Sequence, residues 1–268
     1  MKSSFLPLIL LLGLAQPVCA NDRAIDLLDR AEQGDPEAQY QLADHYVHGI
    51  GVEKNPEQGI SWYERSAQAG YAEAQFRLGT LHMEGRLGLI EDEEEAFEWF
   101  RKAADQEHEV AEFFVGNMLF RGQGVEQDRP LGMRWLARAA SHDCKRAMVR
   151  LAQIYDRGIG VAVDDALAAD WYRKAAAFKL AYAQMALGRM YRTGEGVPRD
   201  LAEAVHWYRL AALQNKRSAQ FILGEILLKG EGNVEADPEQ AVRWLKEAAS
   251  GKHRRARALL KQLNAGGQ

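Results

Sequence analysis

The chain has 268 residues, 47% of them hydrophobic and 27% charged, with a formal net charge of −4 and two cysteines. A balance this acidic gives no expectation of a nucleic-acid partner, which calls for a basic stripe. Cys19 and Cys144 alone exclude a disulfide framework.

Residues 1–20 read as a secretory signal peptide. Lys2 supplies the positive end, Phe5 to Leu14 the apolar run, and Val18-Cys19-Ala20 the residues suited to signal peptidase. An apolar run of about 10 residues cannot span a hydrocarbon layer that needs about 20, so no transmembrane segment is expected. Gln16, Pro17 and Val18 make a poor lipobox before Cys19, which leaves lipid anchoring through Cys19, or full extracellular release, as alternatives to a soluble periplasmic product. Cleavage after Ala20 leaves Cys144 with no intrachain partner even in an oxidising compartment. Residues 21–34 form a shortened, polar half-unit in which Leu27 and Ala31 take the places later held by Tyr63 and Ala67, an N-terminal capping helix.

Over residues 35–252 one unit recurs six times. Trp62, Trp99, Trp135, Trp171, Trp207 and Trp244 are spaced by 37, 36, 36, 36 and 37 residues, and Ala38, Ala74, Ala111, Ala147, Ala183, Ala219 and Ala256 keep the same step. Each unit reads as two antiparallel helices. In the fifth, Ala183, Leu187, Met190 and Tyr191 mark the buried stripe of the first helix. One position after the leucine only Ala or Gly occurs (Ala43, Gly79, Gly116, Ala152, Gly188, Gly224), which lets a partner helix approach closely. Gly49, Gly85, Gly122, Gly158, Gly194 and Gly230 end the first helix in the left-handed conformation. A second glycine follows two residues later in five units and is displaced to Gly88 in the second. Asn55, Asp92, Asp128, Asp164, Asp200 and Asp237 cap the second helix. Gln58, Glu95, Glu203 and Gln240, three residues on, complete capping boxes in four units. Along the second helix the tryptophan, its neighbour and an Ala or Ser pair form a stripe wide enough to pack on both sides, so the tryptophans are expected in the core. Residues 253–268 close the array with a lone helix carrying Ala256, Leu259 and Leu260, then a flexible tail from Asn264.

The order alanine, Leu-Gly, Tyr, Gly-x-Gly-Val, Asp, Ala, Trp-Tyr, Ala-Ala closely resembles the Sel-one-like repeat (SLR) family, relatives of the tetratricopeptide repeats. The resemblance runs from Gly34 to about Lys252 and implies an all-α fold, a right-handed α/α superhelical solenoid of six two-helix repeats with terminal capping helices. It also implies an adaptor or scaffold joining protein complexes, in secreted bacterial members within the cell envelope. Cysteine-rich relatives carry a bridge in each repeat, which this chain cannot. A binder of cell-wall glycan or a small ligand with weak β-lactamase-like hydrolase activity is the alternative.

No enzyme is expected. No Ser is followed three residues later by Lys, and no Gly-x-Ser-x-Gly occurs. His142, Asp143 and Cys144 are consecutive on a turn, where base and nucleophile cannot face each other. His45 and His48 have a spacing compatible with one metal but no recurring third ligand, so a solvated helix end accounts for them and neither metal nor cofactor is expected. The acidic run from Glu91 to Glu95 suits the positive end of a helix.

The two halves differ in sign. Residues 21–134 hold 11 basic and 24 acidic side chains and residues 135–268 hold 22 and 14, so the ends address different partners or pair head to tail, unless solvated faces merely drift in composition. On the first helices the variable positions fall three, six and ten residues after the alanine, on one face. They read Arg77, Thr80 and Glu84, then Phe114, Asn117 and Arg121, then Arg150, Gln153 and Arg157, then Ala186, Arg189 and Thr193, then Ile222, Glu225 and Lys229. The resemblance turns this face to the concave groove. Arginines flanked by Phe114 and Ile222 suit a protein partner bound through an acidic peptide segment; an ordinary solvated face is the alternative.

Overall fold

The computed structural model describes residues 26–266. The expected signal peptide and Cys19 lie outside the described residues. Within them the chain is helical throughout: α1 over 26–32, then α2 (Pro36–His48), α3 (Pro56–Gln68), α4 (Ala72–Glu84), α5 (Glu93–Asp105), α6 (Glu109–Arg121), α7 (Arg129–Ser141), α8 (Lys145–Arg157), α9 (Asp165–Ala177), α10 (Ala181–Thr193), α11 (Leu201–Leu213), α12 (Arg217–Lys229), α13 (Pro238–Ser250) and α14 (Arg254–Gly266). Six helix pairs, α2–α3 to α12–α13, are the six repeats. The helix α14 runs through Asn264 to Gly266, where the sequence suggested a loose tail.

The chain divides into two compact units, residues 1–108 and 109–268. In the first, α2 to α5 pack each on its chain neighbour, and α1 contributes Leu27 and Ala31 to a core with Leu42, Tyr63 and Leu78. In the second, α6 to α14 pack in the same serial order, with one cluster built on Leu136, Leu151, Tyr172 and Leu187 and another on Tyr208, Leu223 and Ile226. This neighbour-on-neighbour packing makes each unit a solenoid array, without a central core.

All six Asn and Asp caps form: each side chain accepts from the amide three residues on, a bond worth about 1 kcal/mol. The capping boxes expected at Gln58, Glu95, Glu203 and Gln240 do not close. The cap residues' own N–H groups are already spent: Asn55, Asp92, Asp128, Asp164, Asp200 and Asp237 donate to the carbonyls of Tyr46, His82, Leu119, Tyr155, Tyr191 and Leu227 at 2.8–3.0 Å. This bond ties the second helix of each repeat to the last turn of its first, and Gln240 turns to the Asp237 carboxylate instead. Left-handed glycines at 49, 85, 122, 158, 194 and 230 turn the chain into that loop.

The small position on the first helix faces the residue after the tryptophan. A Cβ on Gly79 would stand 2.7 Å from the Phe100 ring, and one on Gly188 2.9 Å from the Tyr208 ring. Those residues, not the tryptophans, occupy the centre: Tyr63, Phe100, Leu136, Tyr172 and Leu245 are fully buried and Tyr208 nearly so. Trp62 and Trp135 keep 8% of their surface, and Trp99, Trp171, Trp207 and Trp244 are only half-buried. The indole is too large for the close helix contact and lies at its rim. There Arg65, Lys102, Arg138 and Lys174, one turn on, place a cation 3.8–5.1 Å from the rings of Trp62, Trp99, Trp135 and Trp171.

Candidate functional site

The stripe read from the first helices separates into residues spent on their own unit and residues left for others. In the first unit, Arg77 is half-buried against the Tyr63 ring at 5.9 Å, Thr80 donates to the Phe76 carbonyl, and Glu84 pairs with Arg86. In the second, Asn117 Nδ2 donates to the Phe113 carbonyl, and Phe114 meets Phe113 edge-on with ring centroids 5.7 Å apart. Arg189, expected to be available to a ligand, is not: Asp156 lies 2.5 Å from its guanidinium and Glu195 closes on the other side. Burial alone would lower its pKa, but the two carboxylates outweigh that and raise it.

Arg121, Arg150 and Arg157 are brought together on α6 and α8. The Arg150 guanidinium lies 5.4 Å from the Phe120 ring, and its Nε is buried without a hydrogen-bond partner. Burial pulls its pKa down, and the positive charges of Arg121 and Arg157 pull in the same direction, with no acid opposing them. Arg121 and Arg157 are exposed to solvent that screens them, so the unmet demand is centred on half-buried Arg150, where an anionic group would be stabilised.

Two cavities open along α8, α10 and α12. The first, about 580 Å³, is lined by Lys145, Arg146, Arg150, Lys179 and Lys216 above an apolar floor of Phe113, Val149, Leu180 and Ala181; Gln153, Tyr182 and Gln214 complete it, and it has no acidic side chain. The second, about 600 Å³, shares Tyr182 with the first and adds Asp156, Arg157, Tyr172, Met185, Ala186, Arg189, Arg192, Thr193, Tyr208 and Ile222, with Asp156 already paired to Arg189. Six residues read from the sequence stripe line these cavities besides Arg150: Gln153, Arg157, Ala186, Arg189, Thr193 and Ile222. Lys145, Arg146, Lys179, Lys216 and Tyr182 were missed.

The missed cations sit where helices begin. Lys145 and Arg146 open α8, and Arg217 opens α12, in first turns without an acidic residue. The cap positions of α8, α10 and α12, occupied by Cys144, Leu180 and Lys216, supply no side-chain acceptor. Cations at the positive end of a helix dipole are unfavourable by about 0.3–1 kcal/mol each. The starts of α8 and α12 thus run against the helix field, where α2 and α4 carry acids. The signal lay in the two residues before each alanine, Glu37 and Glu73 early in the chain against Lys145-Arg146 and Arg217 later.

His142, Asp143 and Cys144 form the turn expected of them, with Asp143 in the left-handed region at φ 62°. Cys144 is buried and free, and burial raises its thiol pKa. His142 faces Glu112, its Nδ1 3.0 Å from the carboxylate, while Arg138 Nε stands 2.8 Å from the other oxygen as an ion-pair partner, without hydrogen-bond geometry. Glu112 has no exposed surface. It replaces the glutamine that elsewhere pairs with a second amide across the same joint, as Gln75 with Gln106 and Gln184 with Gln214, each at 2.8 Å.

Among the described residues no helix is long and apolar enough to cross a membrane. Comparison with curated proteins gives no match. The Sel1 repeat profile matches residues 36–71, 72–108, 110–144, 145–177, 181–216 and 217–253. Among solved structures, a protective antigen of uropathogenic Escherichia coli with an SLR fold is 32% identical with a TM-score of 0.83, over 91% of this chain and 52% of that one. The chain thus spans about half the length of that antigen. A Sel1 repeat protein from Oxalobacter formigenes is 34% identical with a TM-score of 0.75, over 91% of this chain and 70% of that one. Proteins built on this repeat generally act as protein-interaction scaffolds. With six matched repeats, the helix-pair fold and these two relatives, the chain belongs to the Sel1-repeat family.

Proposed function

We propose that the chain is a scaffold of the cell envelope, exported by its first 20 residues, whose second unit holds an acidic segment of a protein partner along the faces of α8, α10 and α12. The carrying observation is the cavity of five cations and no acid, adjoined by Arg121 and Arg157. Carboxylates supply the missing counter-charge there, and apolar side chains between them reach the floor at Val149 and Leu180. The neighbouring tyrosine-lined cavity accepts the continuation of the same segment.

The test is a labelled peptide rich in Glu and Leu, titrated with the purified mature protein and read by fluorescence anisotropy. Binding should weaken steeply as salt shortens the screening length from about 10 Å at 0.1 M to about 3 Å at 1 M. Replacing Arg150 and Arg157 together by Glu should reduce affinity at least about tenfold, since like charges then face each other, with the helical circular dichroism unchanged. Equal binding by the parent and this variant would overturn the reading. Mass spectrometry of the exported form should show Asn21 as its first residue; an intact Met1 or an acylated Cys19 would refute soluble export.

A further inference from the structure

The chain carries a segment with the chemistry that its own cavity lacks. The loop between α4 and α5 departs from the glycine pattern of the other repeats: Gly85 and Gly88 both take positive φ, as does Leu87 between them. Leu87 and Leu89 pack on the core of the first unit, which fixes the loop from beneath. Ile90 is left 85% exposed at its crest. Glu91, Asp92, Glu94 and Glu95 follow it, all exposed. An isolated, anchored apolar side chain running directly into carboxylates is a preformed ligand, because the entropy of ordering it is already spent.

We infer that Ile90 to Glu95 of one copy docks into the α8–α10 cavity of a second copy, a refinement that rests on the reading of that cavity as a holder of acidic segments. Ile90 meets Val149 and Leu180 on the floor. Glu91 and Glu94 meet Lys145, Arg146 and Lys179 at the rim, and charge complementarity selects this occupant. Loop and cavity are different surfaces, so the contact either closes reciprocally into a two-fold dimer or repeats head to tail, and growth of mass beyond the dimer distinguishes the two.

Sedimentation velocity of the purified mature protein tests this. At low salt the weight-average mass should rise with concentration, and about 0.5 M salt should suppress the rise as screening closes in. Ile90→Asp, the pair Glu91→Lys with Glu94→Lys, and the pair Lys145→Glu with Arg146→Glu change exposed residues and should each weaken association at least about tenfold. Mixing the two charge-reversed proteins, each monomeric alone, should restore association. A parent that stays monomeric at low salt, or charge-reversed proteins that fail to associate on mixing, overturns the inference. If an unrelated acidic peptide still binds the cavity while a peptide spanning 86–98 does not, the occupant is a foreign partner and only this inference falls. If neither binds, the proposed function falls with it.

Discussion

The two units use one packing grammar and write opposite charges on it. Both hold left-handed glycines, Asn or Asp caps, and a fully buried ring after the tryptophan whose hydroxyl donates to an aspartate, Tyr63 to Asp44 in the first and Tyr172 to Asp156 in the second. Yet residues 21–108 carry 8 basic against 20 acidic side chains, and residues 109–268 carry 25 against 18. Part of the difference shows at the starts of first helices, although α6 in the second unit opens with Glu109 and Glu112. In the first unit α2 opens with Asp35 and Glu37 and α4 with Glu73, as helix electrostatics favours; in the second α8 opens with Lys145 and Arg146. What builds the array is therefore separable from what the array presents.

The largest test of that separation is Tyr63→Ala set beside Tyr172→Ala. Both rings are fully buried in equivalent places, so each should lose about 3–5 kcal/mol of stability in denaturant unfolding; a large loss in one and almost none in the other would break the claim of a shared framework. Next comes the joint at Glu112. Glu112→Ala leaves Arg138 and His142 without their carboxylate and should cost about 2–4 kcal/mol. Glu112→Gln should cost less than about 1 kcal/mol, because glutamine fills the same place at Gln75 and Gln184 and can still hydrogen-bond. Equal costs for the two would show that the charge itself is required.

A smaller effect has an informative sign. Arg146→Glu should raise thermal stability by about 0.3–0.5 kcal/mol, since an acid suits the start of α8, while weakening acidic-peptide binding; a variant that loses both would mean that Arg146 serves the fold. The smallest concerns pH. In Asp35 the Arg30 hydrogen bond, followed by the Ala38 amide, holds the carboxyl below its ordinary value, which is about 3.9. A depressed aspartate stabilises the fold above its unfolded-state pKa, and that contribution is lost as pH falls through the folded value. Asp35→Asn should therefore narrow the gap between stability at neutral pH and in acid. An unchanged gap would remove Asp35 from the acid response.

Elements were legible in the sequence because their signals are local. Periodic alanines, glycine ends and Asx caps each act within one helical turn. The capping boxes misled because the competing acceptor for each cap amide lies nine or ten residues back, at Tyr46 for Asn55 and Leu227 for Asp237. The tryptophans pack on the core as expected, Trp62 and Trp135 buried in it, but Trp99, Trp171, Trp207 and Trp244 sit shallower, because repetition reveals that a residue is required, not how deep it sits. At the candidate site Arg150 and Arg157 were readable from their helix face, but the pairing of Arg189 with Asp156 joins residues 33 apart in the chain. Lys179 and Lys216 stand in turns, outside the helix positions that were compared.

The bond from each cap amide back to the preceding helix gives every repeat its own gauge. An amide at the head of a helix ordinarily exchanges its hydrogen freely, whereas those of Asn55, Asp92, Asp128, Asp164, Asp200 and Asp237 exchange only when their own helix pair parts. Six such amides at almost even intervals make the array self-reporting. Their exchange rates, read together, trace where along the chain the structure opens first and how far the opening spreads.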